Sequence, residues 1–246
     1  MVAPPDNDVL WARGLHHMHG STPALTAVSL GVREGEILAV TGPRGSGKTT
    51  LLKCLSGQLA PTEGEVWFNS SPVHTLSSPS RERLRLDRFG WIDPEPHLVP
   101  ELTAWENAAL PLLLRGAGHR SAKHTAMEWL DRLDVGACAR RRPARLDQSQ
   151  RQRIAVARAL AAEPRVLFAD EPTAPLHSAD GIQVLRTLTA AARSHQITVL
   201  LATLAPEVAA LADRSIALLD GRRTGAVTGP DGSSDAESRA ACSLSV

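Results

Sequence analysis

The chain has 246 residues, 43% hydrophobic and 22% charged, and its 27 basic against 26 acidic side chains leave a net charge of +1. That size and apolar share suit one large or two small globular domains with a sizeable core. The near-neutral balance excludes a sequence-blind nucleic-acid binder, which would be clearly basic, so no nucleic-acid partner is expected.

In chain order, residues 1–8 carry Pro4, Pro5 and two acids and read as a flexible arm rather than a basic, apolar signal segment. Residues 36–40 read as a strand and 48–59 as a helix; residues 65–69 read as a second strand. From about residue 91 to 162 no clear strand is legible, and the helical periodicity at 120–133 and 150–162 predicts a helical insert. Strands follow at 166–169, 198–202 and 216–219, with a helix at 181–195 between the first two. These strands are apolar on both faces, as in a covered, mostly parallel sheet. Asp220-Gly221 predicts a hairpin turn into residues 224–228. Residues 229–246, rich in Gly, Ser, Ala and Asp, read as a disordered tail.

No 20–50-residue repeat is present, and no apolar run approaches 18 residues; residues 108–114 are interrupted by Pro111. Cys54, Cys138 and Cys242 lie far apart, which excludes a disulfide framework and a zinc ribbon and fits a reducing cytosol. Tyrosine is absent, and only Lys48, Lys53 and Lys123 are lysines.

Gly42-Pro43-Arg44-Gly45-Ser46-Gly47-Lys48-Thr49, followed by Thr50, matches G-x-x-x-x-G-K-[ST] between a predicted strand and a predicted helix. Glycines let the backbone wrap closely, so that its N–H groups and the positive helix end face phosphate oxygens. Lys48 then reaches the β- and γ-phosphates, and the Thr49 hydroxyl is a ligand for Mg²⁺. Val166 to Ala169 followed by Asp170-Glu171 supplies the acidic partner: Asp170 for Mg²⁺, Glu171 to polarise the attacking water.

With these motifs in place, residues 9–228 resemble the nucleotide-binding subunits of ABC transporters. Leu146 to Gln150, continued by Arg151 to Leu160, looks like that family's signature motif and helix. Pro172-Thr173 and Leu176 to Ala179 look like its D-loop. Leu102-Thr103-Ala104 with Glu106-Asn107 resembles the segment after the Q-loop in subunits serving lipoprotein-release or macrolide-export permeases. The resemblance implies an α/β P-loop NTPase core with a mostly parallel sheet, an N-terminal antiparallel β part and a helical signature lobe at about residues 92–162. It also implies two such subunits sandwiching two ATP molecules with Mg²⁺, each ATP held by one chain's Walker motifs and the other's signature. The expected partners are a membrane permease and a second ATP-binding subunit, in a homodimer or a heterodimer. The expected location is cytoplasmic, peripheral on the inner face of the membrane.

Against that pattern the chain departs repeatedly. The adenine-stacking aromatic falls on His19, before Gly20, and the Q-loop Gln falls on Pro94. L-S-G-G-Q has become Leu146-Asp147-Gln148-Ser149-Gln150, the D-loop Asp is His177, and the switch His is Leu204. Pro94 has neither a side-chain carbonyl nor an N–H. Asp147 puts an anion near the partner's γ-phosphate; at ~5 Å and an effective dielectric of ~20, unit charges repel by about 3 kcal/mol. Two readings stay open. One is an ATPase subunit that is slow alone and completed by a partner with an intact signature, which the motifs favour. The other is a nearly hydrolysis-dead regulatory or structural ATP-binding module.

The remaining candidates carry less. His16, His17 and His19 read as loop histidines rather than metal ligands. Arg140, Arg141, Arg142 and Arg145 read as a solvated basic cluster. Trp91, Trp105 and Trp129 read as packing residues. A P-loop GTPase is excluded, because no Asn is followed by Lys in an Asn-Lys-x-Asp guanine reader.

Overall fold

A computed structural model describes residues 8–228; residues 1–7 of the expected arm and the expected tail at 229–246 lie outside the described residues. The elements run β1 (Asp8–His19), β2 (Thr22–Arg33), β3 (Ile37–Thr41), α1 (Lys48–Leu55), β4 (Glu63–Phe68), β5 (Ser71–Pro72), α2 (Ser78–Arg88) and β6 (Phe89–Ile92). They continue with α3 (Ala104–Leu114), α4 (His119–Arg132), α5 (Gln148–Ala161), β7 (Val166–Asp170), α6 (Ser178–Ser194), β8 (Thr198–Thr203), α7 (Pro206–Ala209), β9 (Arg214–Leu219) and β10 (Arg222–Thr228).

Two sheets result. The first is antiparallel, in the order β2-β1-β4-β5, with Trp11 opposite both Gly31 and Trp67. The second runs β10-β9-β3-β8-β7-β6; all its pairings are parallel except the β9–β10 hairpin. Period-2 alternation sends its side chains to two cores. Leu38, Val40, Phe168, Leu200 and Ala202 face α1 and the antiparallel sheet, where Phe68, Phe89 and Phe168 meet edge-to-face at 5.0 and 5.4 Å. Ile37, Leu167, Ala169, Val199 and Leu201 face the opposite side, packed with Trp129, Leu130, Ile154, Leu160, Leu185 and Leu188. Both faces are therefore covered, which is why the strands read as continuously apolar.

Three differences from the sequence reading have local causes. Phe89–Ile92 is a strand, so the strandless stretch begins at residue 93 rather than at about 91. Among the described residues it is the sheet edge, pairing only with β7, and four residues are too short to display a period. α2 buries no residue and so offers no apolar stripe, but Pro79 near its start sets its first turn. α3 contains Pro111, which reads as a breaker. Its N-terminus is held by a capping box between Thr103 and Glu106, and Ala104, Trp105, Ala108 and Ala109 bury into the core. Among the described residues no helix is long and apolar enough to cross a membrane.

Candidate functional site

Residues 42–47 join the C-terminal end of β3, a strand flanked by β8 and β9, to α1. Gly42, Gly45 and Gly47 have φ of 144°, 79° and 98°. A Cβ on Gly42 would lie 2.2 Å from the Leu218 carbonyl oxygen, and one on Gly47 2.5 Å from that of Ala24. Backbone conformation and space both require glycine there. Gly47 is the N-cap of α1 and supplies no side-chain cap, so the helix's first N–H groups stay available to an anion.

Lys48 is buried, and its Nζ donates to the carbonyls of Gly42 at 2.8 Å and Pro43 at 2.9 Å, which sets the ammonium over the loop. The Thr49 hydroxyl donates to Oδ2 of Asp170 at 2.7 Å, joining α1 to the end of β7. Burial pushes the Asp170 carboxyl above the usual carboxylate range; the Thr49 hydrogen bond opposes this, and the nearby Asp93 charge adds to it. Oδ1 of Asp170 and Oγ of Ser46 are buried and have no hydrogen-bond partner. A bare carboxylate oxygen, a threonine hydroxyl and a lysine ammonium around a glycine loop suit a Mg²⁺–nucleoside triphosphate, and the orphaned oxygens are what such a ligand would satisfy.

Glu171 stands at φ 44°, in the left-handed region. Its N–H donates to the Ala202 carbonyl at 3.0 Å, and its own carbonyl accepts from Ala174 N–H at 3.0 Å. Burial raises its carboxyl above the ordinary glutamate value, opposed by a hydrogen bond from the Leu204 backbone and by the Lys48 charge. Thr50 accompanies this cluster: its Oγ1 lies 3.1 Å from Nε2 of His19, so the end of β1 is tied to α1. His17 packs edge-on against His19 at 5.0 Å between ring centroids. Gly42 to Thr50, His19, Asp170 and Glu171 thus gather at one end of the parallel sheet. The Arg44 guanidinium lowers the Glu171 carboxyl slightly and so also belongs to this neighbourhood.

Of the departing motifs, Leu204 reaches the cluster through its backbone hydrogen bond to Glu171, whereas the altered signature lies at the start of α5. Asp147 is the N-cap of α5. Its Oδ1 accepts from Gln150 N–H at 2.7 Å, and Oε1 of Gln150 accepts from Asp147 N–H at 3.2 Å. A cleft of about 650 Å³ opens there, lined by Asp134, Asp147, Gln148, Ser149, His177 and Asp180, with Arg153 reaching Asp134 at 3.5 Å and Asp180 at 3.2 Å. Leu204 is 44% exposed just past β8. Trp91 stacks obliquely on Phe168, and Trp105 and Trp129 are buried under the cations of Lys123 and Arg132.

Two residues escaped the sequence reading. Asp93 follows β6, whose Ile92 pairs with Ala169, so the next rung sets Asp93 beside Asp170. Gln152 is fully buried in α5 and hydrogen-bonds to the backbone at Asp93 and Pro172. Finding Asp93 requires reading β6 as a strand; Gln152 stands out only as a polar residue on the apolar side of α5.

Comparison with known proteins agrees with this geometry. The family described as ABC transporter matches residues 25–174. The lipoprotein-releasing system ATP-binding protein LolD 2 of Caulobacter vibrioides is 37% identical over 217 residues, covering 87% of this chain and 95% of that protein. The ABC transporter ATP-binding protein YtrE of Bacillus subtilis is 36% identical over 206 residues, covering 84% and 89%. The dimeric ATP-binding cassette MJ0796, solved in a post-hydrolysis state with ADP and Pi, superposes with a TM-score of 0.84 at 32% identity, covering 89% of this chain and 98% of that one. With the phosphate loop, the acidic strand end and the two-sheet fold assembled as above, the chain belongs to the ABC transporter family, as one of its ATP-binding cassettes.

Proposed function

We propose that the chain binds MgATP and couples that binding to a membrane permease, with slow turnover unless a second ATP-binding subunit completes the site. One observation carries this reading. Thr49 hydrogen-bonds Asp170 beside the glycine loop, which supports phosphate and metal binding there, whereas Asp147 sets a carboxylate on the α5 N-terminus, where the family's signature would meet a partner's phosphate. An anion already satisfied by the helix's own N–H leaves less of that helix end for a phosphate and repels it.

The roles follow from the chain's own groups. The loop N–H groups and the α1 N-terminus orient the triphosphate, and Lys48 exchanges the carbonyls of Gly42 and Pro43 for phosphate oxygens. Thr49 and Asp170 would hold Mg²⁺, which neutralises phosphate charge when bound. Glu171, whose carboxyl burial raises above the ordinary glutamate value and so makes more basic, would as a carboxylate take the proton of a water. His19, tethered to Thr50, would meet the base. Pro94 and Leu204 contribute no polar side chain. Permease docking, pairing with a second ATP-binding chain and a peripheral position on the inner membrane face are supported by the names and dimeric forms of the relatives.

Titration of the purified chain with MgATP, beside Lys48→Ala, tests the binding half. Saturable binding lost about a hundredfold or more in the variant is expected, since a charge-assisted phosphate contact is removed. Equal affinity in both proteins would contradict it. Recovery of the chain from membranes with a permease tests the coupling half.

A further inference from the structure

The amide of Gln152 makes two hydrogen bonds that leave its own helix. Nε2 donates to the Asp93 carbonyl, 3.0 Å away just past β6, and to the Pro172 carbonyl, 2.8 Å away just past Glu171. With two carbonyl acceptors in front of it, only the nitrogen can face them, which fixes the amide's orientation. Oε1 is buried with no hydrogen-bond partner, and the residue has no exposed surface. A Met or Leu would fill the same space without an orphaned oxygen, so packing alone does not account for the amide.

The backbone it grips is where fixed geometry is needed. Glu171 holds φ 44°, a conformation that side-chain-bearing residues adopt only when their surroundings enforce it. Ala202 and Ala174 fasten Glu171 itself, and Gln152 fastens the residue that follows. On the other side it holds Asp93, next to Pro94, a residue that has no amide with which to make a contact of its own. Arg158, six residues further along α5, holds the same loop at the His97 carbonyl at 2.7 Å.

We propose that Gln152 is a positioning residue. Its amide transmits the placement of α5 to the backbone of Glu171 and to the loop after β6. This rests on Glu171 being the base and adds what aims it. The test uses the full chain with its co-purifying subunits and two variants, Gln152→Met, which keeps the length and removes the donor, and Gln152→Glu, which sets oxygens against the carbonyls.

In both variants, amide hydrogen exchange at Glu171 and Ala174 is expected to quicken about tenfold, while Leu167, Phe168 and Leu200 exchange as before. The kcat for ATP is expected to fall about a hundredfold with KM little changed, the mark of misplacement rather than lost binding. Unchanged exchange at Glu171 and Ala174 overturns the proposal. So does faster exchange spread evenly over β7 and β8, which marks a merely structural role. Glu171→Gln is assayed in parallel: full turnover there refutes the base assignment, whereas an inactive Glu171→Gln beside a fully active Gln152→Met refutes only the positioning role.

Discussion

At the scale of single residues, the site divides into groups fixed by backbone geometry and groups free to vary. Gly47 cannot accept a side chain, because its φ is 98° and a Cβ would press on the Ala24 carbonyl. Gly47→Ala is expected to abolish MgATP binding in a calorimetric titration while leaving the unfolding transition cooperative; unaltered affinity would show that the loop has slack. Leu204 is a different case, an exposed residue just past β8. Leu204→His is expected to raise turnover about tenfold or more, as a positioned imidazole does for proton transfer or phosphate contact. An unchanged rate would place the limiting defect elsewhere. The placement of the phosphate-loop motif and of Asp170-Glu171 at the ends of β3 and β7 was legible because each is a contiguous pattern after an apolar run. Asp93 was not, because its nearness to Asp170 depends on the register of β6 against β7.

At the scale of elements, two helices, α3 and α5, begin with capping boxes. Asp147 caps α5, and serine is an equally good N-cap, so Asp147→Ser should alter stability by less than about 0.5 kcal/mol. The same change removes the anion, so ATP-dependent pairing, followed by sedimentation with Glu171→Gln to block turnover, should strengthen. A large loss of stability would instead assign Asp147 a purely structural task. Glu106 closes the other cap, on α3, and hydrogen bonds from the Thr103 hydroxyl and N–H hold its carboxyl below the usual glutamate value. A depressed folded value means a stabilising contribution present above the unfolded value and lost as pH falls through the folded one. Thermal unfolding of Glu106→Gln should therefore lack that acid-side decrement; an identical pH profile would contradict the assignment. Helices with an apolar stripe, such as α4, α5 and α6, could be read from periodicity. The highly polar α2 and the proline-bearing α3 could not, because the period was absent in one and interrupted in the other.

At the scale of the whole molecule, a sheet covered on both faces presents the glycine loop, Asp170 and Glu171 at one end. α1 and the antiparallel sheet lie on one side, and α3 to α6 on the other. The apolar runs and the α/β alternation made that architecture legible. The N-terminal sheet was harder to place, since β1 and β2 carry four register shifts that blur their alternation, and its presence was implied by resemblance. The phosphate-loop motif with Asp170 and the altered motifs around Asp147, His177, Pro94 and Leu204 belong to one chain, so under the proposed function their consequences should separate in the assembly. The most direct measurement is ATP turnover per chain, alone and with the subunits that co-purify, each beside Glu171→Gln. The account predicts little turnover by the isolated chain and a marked, Glu171-dependent gain in the complex. Brisk, Glu171-dependent turnover by the chain alone would contradict it.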